Sequence, residues 1–303
     1  MKFDAVLIAG PTASGKSREA LTLAQAIGGV IINADSMQVY REAPILTAQP
    51  STQDKGQVPH LLYGHVGATE VYSAGRWRDD ALGALSQARD MQRVPIFVGG
   101  TGMYFSALTE GLADIPGIPA DIRDAARALL DKVGVEQLHA QLAARDPLTA
   151  SRLRPSDPQR VLRAYEVFEA TGRPLVEWQN APAALALKEA RLAMFVLDPP
   201  RPDLRARIAR RFEAMVDEGG LAEAQSLAGL DPALPAAKLL GLRQLQGLAA
   251  GELSRGEALE SAITATRQFA KRQMTWFRNR MPHYIWYDPS KSNIITQYCE
   301  FSS

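Results

Sequence analysis

The sequence predicts an α/β protein: a phosphate-loop NTPase-like parallel-sheet core interrupted by a mostly helical insertion. Three observations carry this. Short, continuous apolar runs alternate with helical stretches up to about Gly111, the pattern of a parallel sheet covered on both faces. A glycine-rich phosphate-loop motif directly follows the first apolar run. A helical block rich in Ala, Leu and Arg then replaces the strands until one more strand-like run returns.

Taken in order, Phe3–Ala9, Val30–Asn33 and Pro95–Val98 read as strands, and Lys16–Ile27 and Ala74–Gln92 as helices. A Pro/Gly-rich break runs from Gly111 to Pro119. In the block beyond it, Ser156-Asp157-Pro158 supplies an N-cap and a proline at the first helical position. Gly172 lies just past the other end, so a helix is expected from Pro158 to Thr171. The block runs to Ala181-Pro182, a strand returns at Leu192–Leu197, and helices continue to about Arg280. From about Ser290 the chain reads as a loose tail. The expected organisation is a catalytic core of residues 1–113 and 192–303 around an insertion of residues 114–191.

Composition bounds the function. At 303 residues, with 46% hydrophobic and 22% charged, the chain is neither disordered nor fibrous. No apolar stretch is long enough to span a membrane. A single cysteine, Cys299, cannot form an internal disulfide, which fits a reducing cytoplasm. Met1-Lys2-Phe3-Asp4 lacks the features of a signal peptide. A net charge of +1 leaves room only for local basic surfaces. His65, His139 and His283 show no metal-ligand spacing, and His60 reads as structural.

The strongest chemical signal is Gly10-Pro11-Thr12-Ala13-Ser14-Gly15-Lys16-Ser17, the pattern of nucleotide-binding, usually ATP-binding, loops. Glycines let backbone N–H groups turn inward, the helix N-terminus adds positive potential, Lys16 adds a full charge, and Ser17 can hold Mg²⁺ directly or through water. The motif calls for a phosphorylated ligand without saying which.

Two further loops belong at the same carboxyl edge of the sheet, where open α/β folds bind ligands. In Asn33-Ala34-Asp35-Ser36-Met37-Gln38-Val39-Tyr40, Asp35 has two readings. It caps a short helix, or it works on the ligand, holding Mg²⁺ or accepting a proton. In Val98-Gly99-Gly100-Thr101-Gly102, glycines stand where ATP-hydrolysing proteins place an acid for Mg²⁺. That argues against an ordinary ATPase.

These motifs, with Val58-Pro59-His60-Leu61 and the run Ala265–Arg278, closely resemble the tRNA dimethylallyltransferases, in family order across most of the chain. The resemblance implies transfer of a dimethylallyl group from dimethylallyl diphosphate to N6 of an adenosine. That adenosine lies immediately 3′ of the anticodon, in tRNAs reading codons that begin with U. It implies that the loop holds the prenyl diphosphate rather than ATP. Asp35 would then be the base for the attacking amine, and Thr101 would contact the diphosphate. Lys16 and Ser17 would neutralise that diphosphate, with Arg207 as the preferred arginine of Arg207–Phe212. Asp35, Ser36, Met37 and Gln38 would grip the flipped adenine, with Thr101 on the tRNA side as well. Arg123, Gln159, Arg160, Val161, Leu162 and Arg163 would meet the anticodon stem-loop, and Arg243 and Gln244 would add a further tRNA contact.

The chain departs from the family pattern at Gln49, usually lysine, and at Leu242, usually tyrosine. Basic residues cluster at Arg152–Arg163 and again, among Phe269, Trp276 and Phe277, at Arg267–Arg280. Charge interleaved with aromatics suits RNA, and equally suits a solvated helix face with aromatics turned inward. Two rival functions share parts of the pattern: a small-molecule or nucleoside kinase, and a prenyltransferase acting on free adenine nucleotides. No protein partner is implied, so a monomer is expected.

Overall fold

A computed structural model describes residues 3–181, 187 and 189–302; the break expected at Ala181-Pro182 leaves the described residues at Pro182. Contacts divide the chain into two compact units, Met1–Thr109 with Ala186–Ser303, and Glu110–Leu185.

The larger unit is built on one six-stranded parallel sheet. Its strands are β1 (Ala5–Ala9), β2 (Gly29–Asn33), β3 (His60–Leu61), β4 (Val94–Gly99), β5 (Leu192–Leu197) and β6 (Ile285–Tyr287), in the order β3-β2-β4-β1-β5-β6. The expected fold class is the one found. β1 and β2 are buried along their whole length, as continuous apolar runs require. Register explains why three loops meet: Ala9 pairs with Gly99 and Asn33 with Val98. The carboxyl ends of β1, β2 and β4 therefore finish level with one another.

α1 (Lys16–Ile27), α2 (Thr52–Gln57), α3 (Ala74–Asp90) and α4 (Gly102–Thr109) accompany the first four strands. In the smaller unit lie α5 (Ala120–Val133), α6 (Val135–Arg145), α7 (Pro147–Ala150), α8 (Pro158–Thr171) and α9 (Leu175–Asn180). They pack around Ile118, Leu142, Ala150, Ala164, Val167 and Leu175. α8 has the expected bounds. The Asp157 side chain accepts from the Arg160 N–H at 3.1 Å, and Gly172 closes the helix at φ 65°.

After β5 come α10 (Arg201–Met215), α11 (Leu221–Ser226), α12 (Leu242–Ala249), α13 (Arg255–Arg280) and α14 (Ile294–Ser302). The last corrects the expectation of a loose tail. Ile294 is fully buried, and its N–H donates at 2.8 Å to Glu19 in the first turn of α1. Short polar residues before Ile294 hid a helix whose apolar side has somewhere to dock. Among the described residues, no helix is long and apolar enough to cross a membrane.

Candidate active site

The phosphate loop leaves β1 and enters α1 through Ala13 and Gly15, both at positive φ (62° and 95°). Gly15 tolerates this without strain, and it turns the loop's N–H groups toward the start of the helix. Lys16 is 8% exposed. Burial pushes its ammonium down to about 8, against the opposing pull of Asp35 and with repulsion from Arg211 adding to the drop. A phosphate ligand would favour the charged form and push the value back up.

A cleft of about 340 Å³ opens here, lined by the phosphate loop with Asp35, Gln38, Thr47, Ala48, Arg207 and Arg211. Arg207 donates to the Ser14 carbonyl at 3.1 Å. Arg211, one turn on, donates to the Thr12 hydroxyl and faces both Lys16 and Asp35 electrostatically. Burial presses its pKa down while Asp35 opposes. Arg211 was thus missed in favour of Arg207, although their i, i+4 spacing puts both on one helix face.

Asp35 is placed by Asn33, which is fully buried. The Asn33 amide donates to the Asp35 and Leu62 carbonyls at 2.9 and 3.0 Å, and its Oδ1 accepts from the Asp35 N–H at 2.9 Å. The Trp77 indole donates to the Asn33 carbonyl at 2.9 Å and stacks on Tyr104 with centroids 4.1 Å apart. No helix follows Asp35, which removes the helix-cap reading. Its Oδ1 accepts from the Met37 N–H at 3.0 Å, and no described residue hydrogen-bonds Oδ2. One oxygen of this cleft-lining carboxylate is therefore free of any donor among the described residues.

The turn after β4 needs its glycines. A β-carbon on Gly99 would lie 1.9 Å from the Ala34 carbonyl oxygen, and one on Gly102 would lie 2.1 Å from the Trp276 ring. Thr101 is bonded to Ser36 rather than left open. Gln38, 8% exposed, donates to the Thr47 and Ala48 carbonyls at 2.9 and 2.8 Å. Its amide protons are spent on the loop wall. That loop is also held by Glu223, missed from sequence, whose carboxylate accepts from the Ile45 and Leu46 N–H groups at 2.8 Å each.

Ser17 and Asp35 line one cleft and offer two oxygen donors. Among the described residues no three His, Cys, Asp or Glu gather into a metal cage. A two-oxygen set suits Mg²⁺, which keeps several waters and binds through phosphate oxygens.

A family model described as IPP transferase matches residues 38–280, and one described as isopentenyl transferase matches residues 3–57. The chain belongs to the IPP transferase family. It is 50% identical to the tRNA dimethylallyltransferase of Agrobacterium fabrum over 92% of this chain and 94% of that one. Identity to the enzyme of the same name from Methylocella silvestris is 48% over 97% and 98%. The solved tRNA isopentenylpyrophosphate transferase of Bacillus halodurans superposes with TM-score 0.69 at 31% identity, over 99% of this chain and 94% of that one. A eukaryotic dimethylallyltransferase acting on tRNA superposes with TM-score 0.79 at 25% identity, over 97% and 75%.

For this IPP transferase, the remaining expected residues divide by exposure. In the helical unit, Gln159, Arg160 and Arg163 are exposed and Leu162 half-buried, whereas Val161 is fully buried. Val161 is corrected from a candidate RNA contact to a packing residue, because its side chain has no surface to offer. Arg123 turns its guanidinium onto the Ile118 carbonyl at 2.8 and 3.1 Å. Arg243 is exposed, and Gln244 donates to Ser261 at 3.4 Å.

Both departures acquire local accounts. Gln49 donates to the Tyr40 carbonyl at 2.8 Å, and Leu242 is 2% exposed in the core. On α13, Phe277 is fully buried and Trp276 lies against Gly102, so these rings pack inward. Arg267 and Lys271 of α13 join Arg201 and Arg205 of α10 around a cleft of about 490 Å³.

Proposed function

We propose that this chain transfers a dimethylallyl group from dimethylallyl diphosphate to N6 of the adenosine immediately 3′ of the anticodon, in tRNAs reading codons that begin with U. One observation carries the reading. A carboxylate oxygen without a described protein donor, Asp35 Oδ2, shares a cleft with Lys16, Arg211 and the phosphate loop. A phosphate cradle facing a base suits displacement of diphosphate by a neutral amine.

The C1–O bond of the donor breaks and its electron pair leaves on the diphosphate oxygen. The N6 lone pair forms the new N–C1 bond, and the N6 proton passes to Asp35 Oδ2. Lys16, Arg211 and the loop N–H groups stabilise charge growing on the leaving diphosphate. Ser17 would hold Mg²⁺, directly or through water, and the ion would supply further neutralisation of that charge when bound. The exposed Gln159, Arg160 and Arg163 side chains serve the anticodon stem-loop through phosphate contact. A cytoplasmic monomer fits the tRNA substrate.

Incubating the protein with labelled dimethylallyl diphosphate and unmodified tRNA, AMP or ATP tests this. Label should enter tRNA alone. Label in AMP would sink the tRNA assignment, and phosphoryl transfer from ATP without prenylation would establish the kinase reading.

A further inference from the structure

The proposed chemistry makes no use of Gln273, yet that side chain bridges two of the loops that form the cleft. It sits on α13, is 6% exposed, and has both ends of its amide bonded. Oε1 accepts from the Thr12 backbone N–H at 2.9 Å, and Nε2 donates to the Gly100 carbonyl at 2.9 Å. One planar group ties the phosphate loop, the turn after β4 and the basic helix together. Gly100 shows how closely it is fitted: a β-carbon there would lie 2.2 Å from Gln273 Nε2 and 3.2 Å from Asp35 Oδ2.

A buried amide with a donor at one end and an acceptor at the other is a spacer of fixed length. An apolar side chain would leave the Thr12 N–H and the Gly100 carbonyl without that partner, and a carboxylate could serve only the first. What it spaces is mechanistically distinct on its two sides. Thr12 belongs to the loop that cradles phosphate. Gly100 leads into Thr101, which holds Ser36 beside Asp35.

We infer that Gln273 is a positioning residue for prenyl transfer, setting the separation between the phosphate loop and the Asp35–Thr101 side of the cleft. The inference rests on the functional reading above and adds a residue that touches no reacting atom. Holding two reactants at attack distance is where a misplacement of about 1 Å costs roughly a hundredfold in rate. The loss should therefore fall on the chemical step rather than on either substrate's affinity.

The test compares full-length wild type, Gln273→Met and Gly100→Ala with dimethylallyl diphosphate and unmodified tRNA, in steady state and in single turnover. Gln273→Met keeps the bulk and removes the amide, while Gly100→Ala displaces the amide without deleting it. Both should lower kcat and the single-turnover rate about 10- to 100-fold, with donor KM and tRNA affinity changed less than about threefold. Thr101→Ala should cost less in the Gln273→Met background than in wild type, because both act on one turn. Wild-type kcat in either variant, a loss confined to KM, or strict additivity with Thr101→Ala would overturn the inference. A wild-type protein that fails to prenylate tRNA would overturn the functional reading and this inference with it. Active wild type with unimpaired variants overturns the inference alone.

Discussion

Thr101 and Ser36 hold each other twice: the Ser36 N–H donates to Thr101 Oγ1 at 2.9 Å, and the Thr101 hydroxyl donates to Ser36 Oγ at 3.1 Å. The threonine therefore fixes the loop that carries Asp35 before any ligand arrives. Thr101→Ala should lower kcat by about one to two powers of ten, the range for losing two neutral hydrogen bonds of ~0.5–1.5 kcal/mol each. Thr101→Ser keeps the hydroxyl and should recover most of the rate. Equal damage from both variants in steady-state assays would assign the effect to the methyl group instead.

Asp35→Ala removes the acceptor for the amine proton. Its kcat should fall by about two to four powers of ten, while donor binding survives. Equilibrium binding beside single-turnover rates checks this. Lost donor binding with intact chemistry would make Asp35 a metal ligand.

The two arginines of α10 should separate in donor affinity. Arg207 spends a donor on the Ser14 carbonyl, whereas Arg211 sits among Thr12, Lys16 and Asp35. Arg211→Ala should weaken dimethylallyl diphosphate about 10- to 100-fold, as for a lost charge-assisted bond, and Arg207→Ala should cost less. Calorimetric titration decides, and the reverse order would return the role to Arg207.

Lys16 makes donor binding depend on pH. Its value is about 8 in the folded protein against 10.5 for the ordinary side chain. The unfolded chain therefore binds more protons across that window, so the cost of burying the ammonium is full below about pH 8, fades as pH rises from there to 10.5, and is gone above it. Diphosphate reverses the balance by favouring the charged form. Binding should take up a proton near pH 8–9 and weaken as pH rises further. Calorimetry in buffers of different ionisation enthalpy reads the uptake. Its absence would show that Lys16 is already charged in the free protein.

Arg160 and Arg163 test the RNA surface. Arg160 is 75% exposed and 3.4 Å from Asp157; Arg163 is 46% exposed and 3.8 Å from Glu166. The Arg160–Asp157 pair is solvated and contributes little to stability, and the buried Glu166 keeps Arg123 and Arg127 acting on it when Arg163 is removed, so the double Ala variant should stay folded. It should raise KM for tRNA and flatten the salt dependence of binding, the slope falling by about one for each phosphate no longer neutralised. An unchanged slope would leave them as a solvated face.

Local signals carried much of this structure, and tertiary ones did not. The strand runs, the phosphate loop and α8 follow from periodicity, glycine spacing and capping, which act within a few residues. Asp35 was visible as a carboxylate at the sheet edge. Its fixing by Asn33 and Trp77 was not, because Trp77 lies 44 residues away from the carbonyl it reaches. Glu223 and Gln273 escaped for the same reason, since each acts on a loop far from it in the chain, whereas Arg211 escaped because it shares a helix face with Arg207. Val161 shows the opposite error, a buried position carried along inside an exposed motif. The docking of α14 was hidden because its anchor, Glu19, belongs to the first helix.

That anchor has a consequence for synthesis on the ribosome. The phosphate loop emerges long before α13 and α14, so α1 waits for Ile294 and Tyr287 to reach Glu19, and Thr12 waits for Gln273. Contacts spanning some 260 to 275 positions close only after nearly all of the described chain has been made. A nascent or prematurely terminated product would carry the motif without its finished cradle. On the proposed function, competence to hold the diphosphate is thus coupled to synthesis of α13 and α14, and a polypeptide halted before them would not sequester the donor.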